Sequence, residues 1–139
     1  ARTLASALDA RGFKVSGACF GFTRSHQVWV DVAPIIDPTE ASRLLLNAGI
    51  VVNAIHVPYL ANGTGLRLGV QEVTRRGMGA ADMNEIANIF HAVLIDRTDP
   101  VNVGKRVTGL LDLYPCYGDT LFQSHIDTVR KTLTKGAPR

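Results

Sequence analysis

The sequence predicts an α/β (α+β) domain: a small antiparallel sheet of three to four strands, with helices packed on one face and further helices at the C-terminal end. Short β-branched runs alternate with segments of helical period, which is typical of this class. The 139 residues, 46% of them hydrophobic, suffice for one domain with its own core. No apolar run approaches the roughly 20 residues that cross a bilayer, and no secretion signal opens the sequence. We therefore expect a cytoplasmic protein without membrane contact.

The first elements are predicted from periodicity and punctuation. They are, in order, a helix at Thr3–Asp9, a brief strand at Phe13–Ser16, a loop at Gly17–Ser25 and a strand at Gln27–Val32. In the last of these, valines occupy one face and Trp29 the other. A strand that is apolar on both faces is usually covered on both sides or lies at a domain contact.

A well-punctuated helix follows. Asp37 is predicted as its N-cap, Pro38 as its first residue and Glu40 as a capping-box acid. Gly49 is predicted to end it, since glycine takes a positive φ without steric cost. Its apolar stripe consists of Ala41, Leu44, Leu45 and Ala48.

The second half is predicted to contain two strands and then helices. The predicted elements are a strand at Ile50–Asn53, a connection with Pro58 and Ala61–Gly65, a strand at Leu66–Val70, a helix at Ala80–Ile95, a helix that starts at Asp99-Pro100 and breaks at Pro115 and Gly118, and a last helix at Asp119–Leu133. We expect residues 1–118 to form one small domain, and residues 119–139 to add a helix and tail to it.

Charge and cysteine usage disfavour several classes of function. Fifteen Lys+Arg against twelve Asp+Glu leave a net charge of only +3, and the basic residues are scattered, so nucleic-acid binding is not expected. Cys19 and Cys116 are too few for a disulfide framework and are expected to be free thiols. The four histidines lack metal-ligand spacing, so no metal site is predicted.

One residue, Arg67, stands out as a candidate binding group. Strand alternation places it on the face opposite Leu66 and Leu68, with Gly65 and Gly69 clearing space beside it. A guanidinium with open space before it suits a carboxylate, because its fork donates two parallel hydrogen bonds. The alternative is an exposed arginine on an edge strand, which discourages edge-to-edge pairing.

Other polar residues support no catalytic set. His26 precedes the long strand and is typical of a loop residue, while Asn53 ends a predicted strand and could contact a ligand or local backbone. Asp31 lies in a valine-rich strand, where a carboxylate must face solvent, find a partner or meet another domain. No serine or cysteine nucleophile is paired with a base, and no carboxylate pair occurs. No catalytic residue is therefore assigned to this chain.

Six segments in order nevertheless resemble a known family. They are GFKVSG at Gly12–Gly17, SHQVWVDV at Ser25–Val32, EASRLLLNAGIVVN at Glu40–Asn53, GLRLGVQEVTRRGM at Gly65–Met78, ADMNEIANIF at Ala81–Phe90 and LLDLYPCY at Leu110–Tyr117. Together they resemble the C-terminal small domain of serine (glycine) hydroxymethyltransferase-like enzymes, which use pyridoxal phosphate and have the aminotransferase-like fold (fold type I).

The resemblance implies a transferase of amino-acid and one-carbon metabolism that makes and breaks bonds at the Cα of glycine. It implies that Arg67 binds the carboxylate of glycine, serine or threonine, with Asn53, Ile55 and His26 as candidate lining residues. It also implies a homodimer and a separate large domain that binds the cofactor. None of the four lysines (Lys14, Lys105, Lys131 and Lys135) lies in the family's cofactor-lysine motif. We therefore expect this chain alone to be inactive.

The family's folate-contacting pattern is altered. Its second Asn is replaced by Ile55 in the run Asn53–Pro58, and the loop that follows is shorter. Tetrahydrofolate use therefore stays open. A folate-independent threonine aldolase or transaldolase is one alternative, and a stand-alone, non-catalytic binding or interaction module with this fold is another.

Overall fold

The computed structural model describes residues 1–57, 60 and 63–114, which form one four-stranded antiparallel sheet with helices. The strands are β1 (Lys14–Val15), β2 (Gln27–Asp31), β3 (Asn53–His56) and β4 (Thr64–Gly69). Their order across the sheet is β1-β2-β4-β3, and every neighbouring pair is antiparallel. The predicted fold class is confirmed.

Five α-helices lie within the described part of the chain. They are α1 (Arg2–Asp9), α2 (Pro38–Asn47), α3 (Gln71–Arg75), α4 (Ala80–Leu94) and α5 (Pro100–Asp112). Helices α1 and α2 contact the sheet, and α4 packs on α1, α2 and α5. The helical layer thus covers the sheet face that carries the buried side chains of Val28, Val30, Leu66 and Leu68.

Local sequence explains where α2 begins and ends. The Asp37 carboxylate accepts hydrogen bonds from the amides of Thr39 (2.9 Å) and Glu40 (3.0 Å), as an N-cap does. Gly49 follows the C-cap with a φ of +85°, which confirms its predicted role. Glu40 differs from its prediction as a capping-box acid, because its carboxylate accepts both of its hydrogen bonds from Arg43.

One predicted strand was misplaced and one short helix was missed. The strand predicted at Ile50–Asn53 begins only at Asn53 and runs to His56, because the Ile50 amide still bonds the Leu45 carbonyl at the end of α2. Val51 is 80% exposed and belongs to the connection. The predicted loop at Gly17–Ser25 contains a single 3-10 turn, Ala18–Phe20, and the short helix α3 was not predicted.

Strand β4 starts at Thr64, two residues before the predicted start at Leu66, so Thr64 and Gly65 belong to the strand and not to the predicted connection. The other predicted elements agree with the structure to within about two residues where it describes them. The helix predicted at Ala80–Ile95 is α4, and Asp99 caps α5 by accepting from the Val101 amide at 3.0 Å. The predicted helix at Asp119–Leu133 lies outside the described residues, as do Cys116 and most of the connection after Val57. None of the helices described has the length and apolar character that a membrane span requires.

Candidate functional site

The sheet face turned away from the helical layer, here called the open face, presents three side chains in one row. In the strand register, Arg67 of β4 pairs with Trp29 of β2 on one side and with Asn53 of β3 on the other. Directly opposed residues of antiparallel strands have Cβ atoms about 4.5–5.5 Å apart, so their side chains are neighbours. Arg67 and Trp29 are half-buried, and Asn53 is exposed. The row therefore centres a cation between an indole and a carboxamide.

The Arg67 guanidinium makes no hydrogen bond and no ion pair with the residues that the structure describes. The other arginines of this part of the chain include Arg43 and Arg106, whose forks are engaged by Glu40 and Glu85 at 2.6 and 2.8 Å. Arg67 is half-buried on β4, which is an inner strand of the sheet, so the alternative of an arginine that protects an edge strand is wrong. Its five donors are available to a ligand.

The space beside Arg67 is occupied differently from the prediction. Gly65 and Gly69 lie two residues before and after it on the same face, and side chains from other segments lie over both. A Cβ at Gly65 would be 2.8 Å from Leu60 Cδ1, and a Cβ at Gly69 would overlap Gln71 Oε1. Arg67 is therefore bounded along its strand by an apolar group at one end and a carboxamide at the other.

Leu60 and Gln71 were missed by sequence reasoning, and so was the place of Trp29 in the row. The signal that could have indicated Gln71 is its spacing, since it follows Gly69 by two residues and only a glycine leaves room for its side chain to fold back. No comparable local signal pointed to Leu60.

The other predicted lining residues lie at different distances from the row. Ile55 is half-buried and pairs with Gly65 in the register, one step along the open face from Asn53. His26 is exposed and precedes Gln27, the partner of Gly69. The His26 backbone carbonyl accepts a hydrogen bond from the Val70 amide, and its ring Nε2 lies 3.4 Å from the side-chain Nε2 of Gln27. The structure thus brings Asn53 and Ile55 beside Arg67 and leaves His26 at the margin.

Asp31 finds the partner that its buried position requires. Its carboxylate is 3.1 Å from Lys14 Nζ and also accepts from the Ala33 amide. The side chain of Asp31 is 6% exposed and that of Lys14 is 70% exposed, so the lysine covers the acid from the solvent side. This pair ties β1 to β2 and is a structural feature.

The described residues do not fit a pyridoxal-phosphate site. Lys14 is held by Asp31, and Lys105 lies on α5, which packs against α4 and α2 in the layer behind the sheet. Neither amine belongs to the row that contains Arg67. Among the residues described, no group of His, Cys, Asp or Glu could hold a metal ion.

Comparisons with known proteins identify relatives of the chain. No protein-family model matches it. It is 45% identical over 111 residues to a serine hydroxymethyltransferase of Saccharolobus islandicus, which covers 76% of this chain and 26% of the relative. It is 45% identical over 112 residues to the serine hydroxymethyltransferase of Aeropyrum pernix, with 77% and 26% covered.

A solved structure shows the same fold. The crystal structure of L-threonine transaldolase from Pseudomonas fluorescens in its internal aldimine state matches with a TM-score of 0.75 and 34% identity. The match covers 84% of this chain and 27% of that one. Both comparisons confirm the resemblance on which the site prediction rests. The chain is thus a serine hydroxymethyltransferase-like domain, and it spans about a quarter of the length of the curated relatives it matches.

Proposed function

We propose that this chain is the substrate-carboxylate-binding small domain of a pyridoxal-phosphate enzyme of the hydroxymethyltransferase type, which acts on glycine or serine. In this proposal residues 1–118 are that small domain, with residues 119–139 attached to it, and Arg67 anchors the amino acid. The observation that carries it is that Arg67 is half-buried at the centre of the Trp29–Arg67–Asn53 row and that its guanidinium has no partner among the described residues.

The chemistry of the row supports an amino-acid acid group as ligand. A guanidinium fork binds a carboxylate through two parallel charge-assisted hydrogen bonds, which fix its plane as well as its position. Strands hold such an anchor more rigidly than a loop would. Holding the carboxylate orients the bonds at Cα relative to whatever group reacts there, so the role of Arg67 is positioning rather than proton transfer.

The cofactor would be bound by other parts of a longer protein. Pyridoxal phosphate supplies an electron sink for carbanion chemistry, and the described residues of this chain offer it no amine beside Arg67. We therefore propose that the chain by itself is inactive, and that it completes a site with a cofactor-binding domain in a dimeric enzyme.

A second candidate, a folate-independent threonine aldolase or transaldolase, is favoured by two observations. The similar solved structure is a threonine transaldolase, and Ile55 places a half-buried apolar group beside the row where the family has a folate-contacting Asn. Both candidates use the same carboxylate anchor and differ in the second substrate. Calorimetric titration of the full-length enzyme with tetrahydrofolate separates them, since only the hydroxymethyltransferase requires folate binding.

The test of the anchor is Arg67→Ala in the full-length enzyme. Losing a charge-assisted hydrogen bond to a desolvated acid group costs about 2–5 kcal/mol, so we expect glycine affinity to fall by a factor of about 30 or more, with cofactor content unchanged. Arg43→Ala is the matched control, because Arg43 lies on α2 and, among the described residues, its guanidinium pairs with Glu40 alone. Unaltered glycine affinity in Arg67→Ala would overturn the proposal.

A further inference from the structure

We propose that Gln71 is a second substrate-contacting residue, whose side-chain amide donates a hydrogen bond to the carboxylate that Arg67 holds. This inference rests on the proposed function of Arg67. It concerns a residue that lies outside the sheet and that the sequence pattern did not single out. It assigns to Gln71 a role in selecting acid-bearing substrates.

The first step is the position of the Gln71 side chain. Gln71 is the first residue of α3, and only Val70, the N-cap of that helix, separates it from Gly69, the last residue of β4. Its side chain folds back over Gly69, and a Cβ built on Gly69 would meet Gln71 Oε1, with Cδ at 3.3 Å and Nε2 at 3.6 Å. The carboxamide therefore lies on the sheet where the side chain of residue 69 would otherwise be.

The second step relates this position to Arg67. Residues 67 and 69 share the open face and are about 6.6–6.8 Å apart along the strand, since each residue rises about 3.3–3.4 Å. The opposite neighbour of Arg67 along β4, Gly65, is covered by the apolar Leu60. Gln71 is thus the polar boundary of the space in front of Arg67.

The third step is hydrogen-bonding capacity. A carboxylate offers about four acceptor sites, of which a guanidinium fork uses two. The Gln71 carboxamide is exposed and makes no hydrogen bond within the described part of the chain. The neighbouring carboxamide of Gln27 has partners at both ends, because its Oε1 accepts from the Trp29 indole at 3.0 Å and its Nε2 lies 3.4 Å from His26 Nε2. Gln71 is therefore the carboxamide on this side of Arg67 that has no partner among the described residues.

The test compares Gln71→Ala and Gln71→Glu in the full-length enzyme, with glycine binding measured by titration. Because Gln71→Ala removes one hydrogen bond to a charged group, we expect the affinity for glycine to fall about tenfold. Gln71→Glu keeps the shape but sets a second carboxylate against the first, so we expect a larger loss near neutral pH. That extra loss should shrink relative to the unmodified enzyme as the pH falls through about 4.3, the ordinary pKa of a glutamate, because the introduced acid becomes protonated.

Two further variants keep the result interpretable. Asn102→Asp adds the same charge on α5, in the helical layer, and should leave glycine affinity unchanged. Gly69→Ala retains the Gln71 amide but displaces it, and should weaken glycine binding about as much as Gln71→Ala does.

The outcomes distinguish the two proposals. If Arg67→Ala abolishes glycine binding while both Gln71 variants bind glycine normally, the role of Gln71 is refuted and the anchor stands. If Arg67→Ala binds glycine normally, the proposed function itself fails. A loss in Gln71→Glu that does not change with pH would indicate a structural effect of the substitution and would also refute the contact.

Discussion

At the scale of single residues, strand alternation was enough to select Arg67 but not its surroundings. The two-residue period of a strand places Arg67 on one face of the sheet and its neighbours Leu66 and Leu68 on the other. In the structure both leucines are buried on the helix-covered face, as this period predicts. The side chains over Gly65 and Gly69 come from Leu60 and Gln71, which reach their positions through the course of the chain before and after β4. A glycine in a strand indicates that something lies close to it, and the sequence does not say what.

The two glycines beside Arg67 should differ in their tolerance of alanine. A Cβ on Gly65 would be 2.8 Å from the Val30 carbonyl oxygen, which belongs to the backbone of β2 and cannot move without disturbing the sheet. We expect Gly65→Ala to lower the free energy of unfolding by about 1–3 kcal/mol, as overpacking does. Gly69→Ala displaces only the flexible end of Gln71 and should change stability far less. Urea denaturation of the two variants measures the difference, and equal losses would contradict this account.

At the scale of elements, the best-predicted segments are those with both a period and a cap. Helices α2 and α5 begin where Asp37 and Asp99 precede a proline, because these residues satisfy backbone amides that no helical carbonyl can reach. The strand after α2 was predicted to begin three residues too early. The apolar run Ile50–Val52 follows Gly49 directly, and nothing in its sequence separates a connecting segment from the start of a strand. Helix α3 was missed because its five residues are too few to show a helical period.

Helix α3 depends on a carboxylate and should therefore weaken in acid. The Glu72 carboxylate accepts hydrogen bonds from Arg75 at 2.9 Å and from Arg76 at 3.0 Å. These hydrogen bonds hold the pKa of Glu72 below its usual value of 4.5, and the one from Arg75 has the larger effect. Arg76 also donates to the Tyr114 carbonyl, which links α3 to the end of α5. Because the pKa of Glu72 is lower in the folded than in the unfolded state, its contribution to the free energy of unfolding is complete above about pH 4.5. That contribution is lost as the pH falls through the pKa of Glu72 in the folded state.

We expect Glu72→Gln to lower the melting temperature at pH 7, and this difference from the unmodified chain should disappear as the pH falls below about 4.5. Thermal unfolding followed by circular dichroism from pH 7 to pH 3 measures it. Asp9→Asn is the control, since the Asp9 side chain makes no hydrogen bond or ion pair with the described residues and its effect should not follow this pH dependence. A Glu72→Gln difference that persists unchanged at pH 3 would show that the carboxylate is not responsible.

At the scale of the whole molecule, the sheet is covered on one face by helices and presents Arg67 on the other. The layer arrangement was predictable, because apolar period is a local property that indicates which face each element buries. The strand order β1-β2-β4-β3 was not, since it depends on pairing between residues far apart in the chain. That order puts β4 between β2 and β3, and only this makes Trp29 and Asn53 neighbours of Arg67. The candidate site is thus a product of topology, whereas its central residue was visible in the sequence.

The same arrangement leads to a prediction about the cofactor. Within the described part of the chain, Lys14 is paired with Asp31 and Lys105 is exposed on α5, away from the open face. Neither amine therefore lies where it could meet an aldehyde held beside Arg67. We therefore expect pyridoxal phosphate, followed by borohydride reduction, to modify no single lysine of the 139-residue chain selectively. Peptide mass spectrometry of the reduced protein measures the label at each lysine, with the full-length enzyme as the positive control. Stoichiometric labelling of one lysine in the isolated chain would mean that this chain binds the cofactor itself. The proposal that a separate domain binds the cofactor would then be wrong.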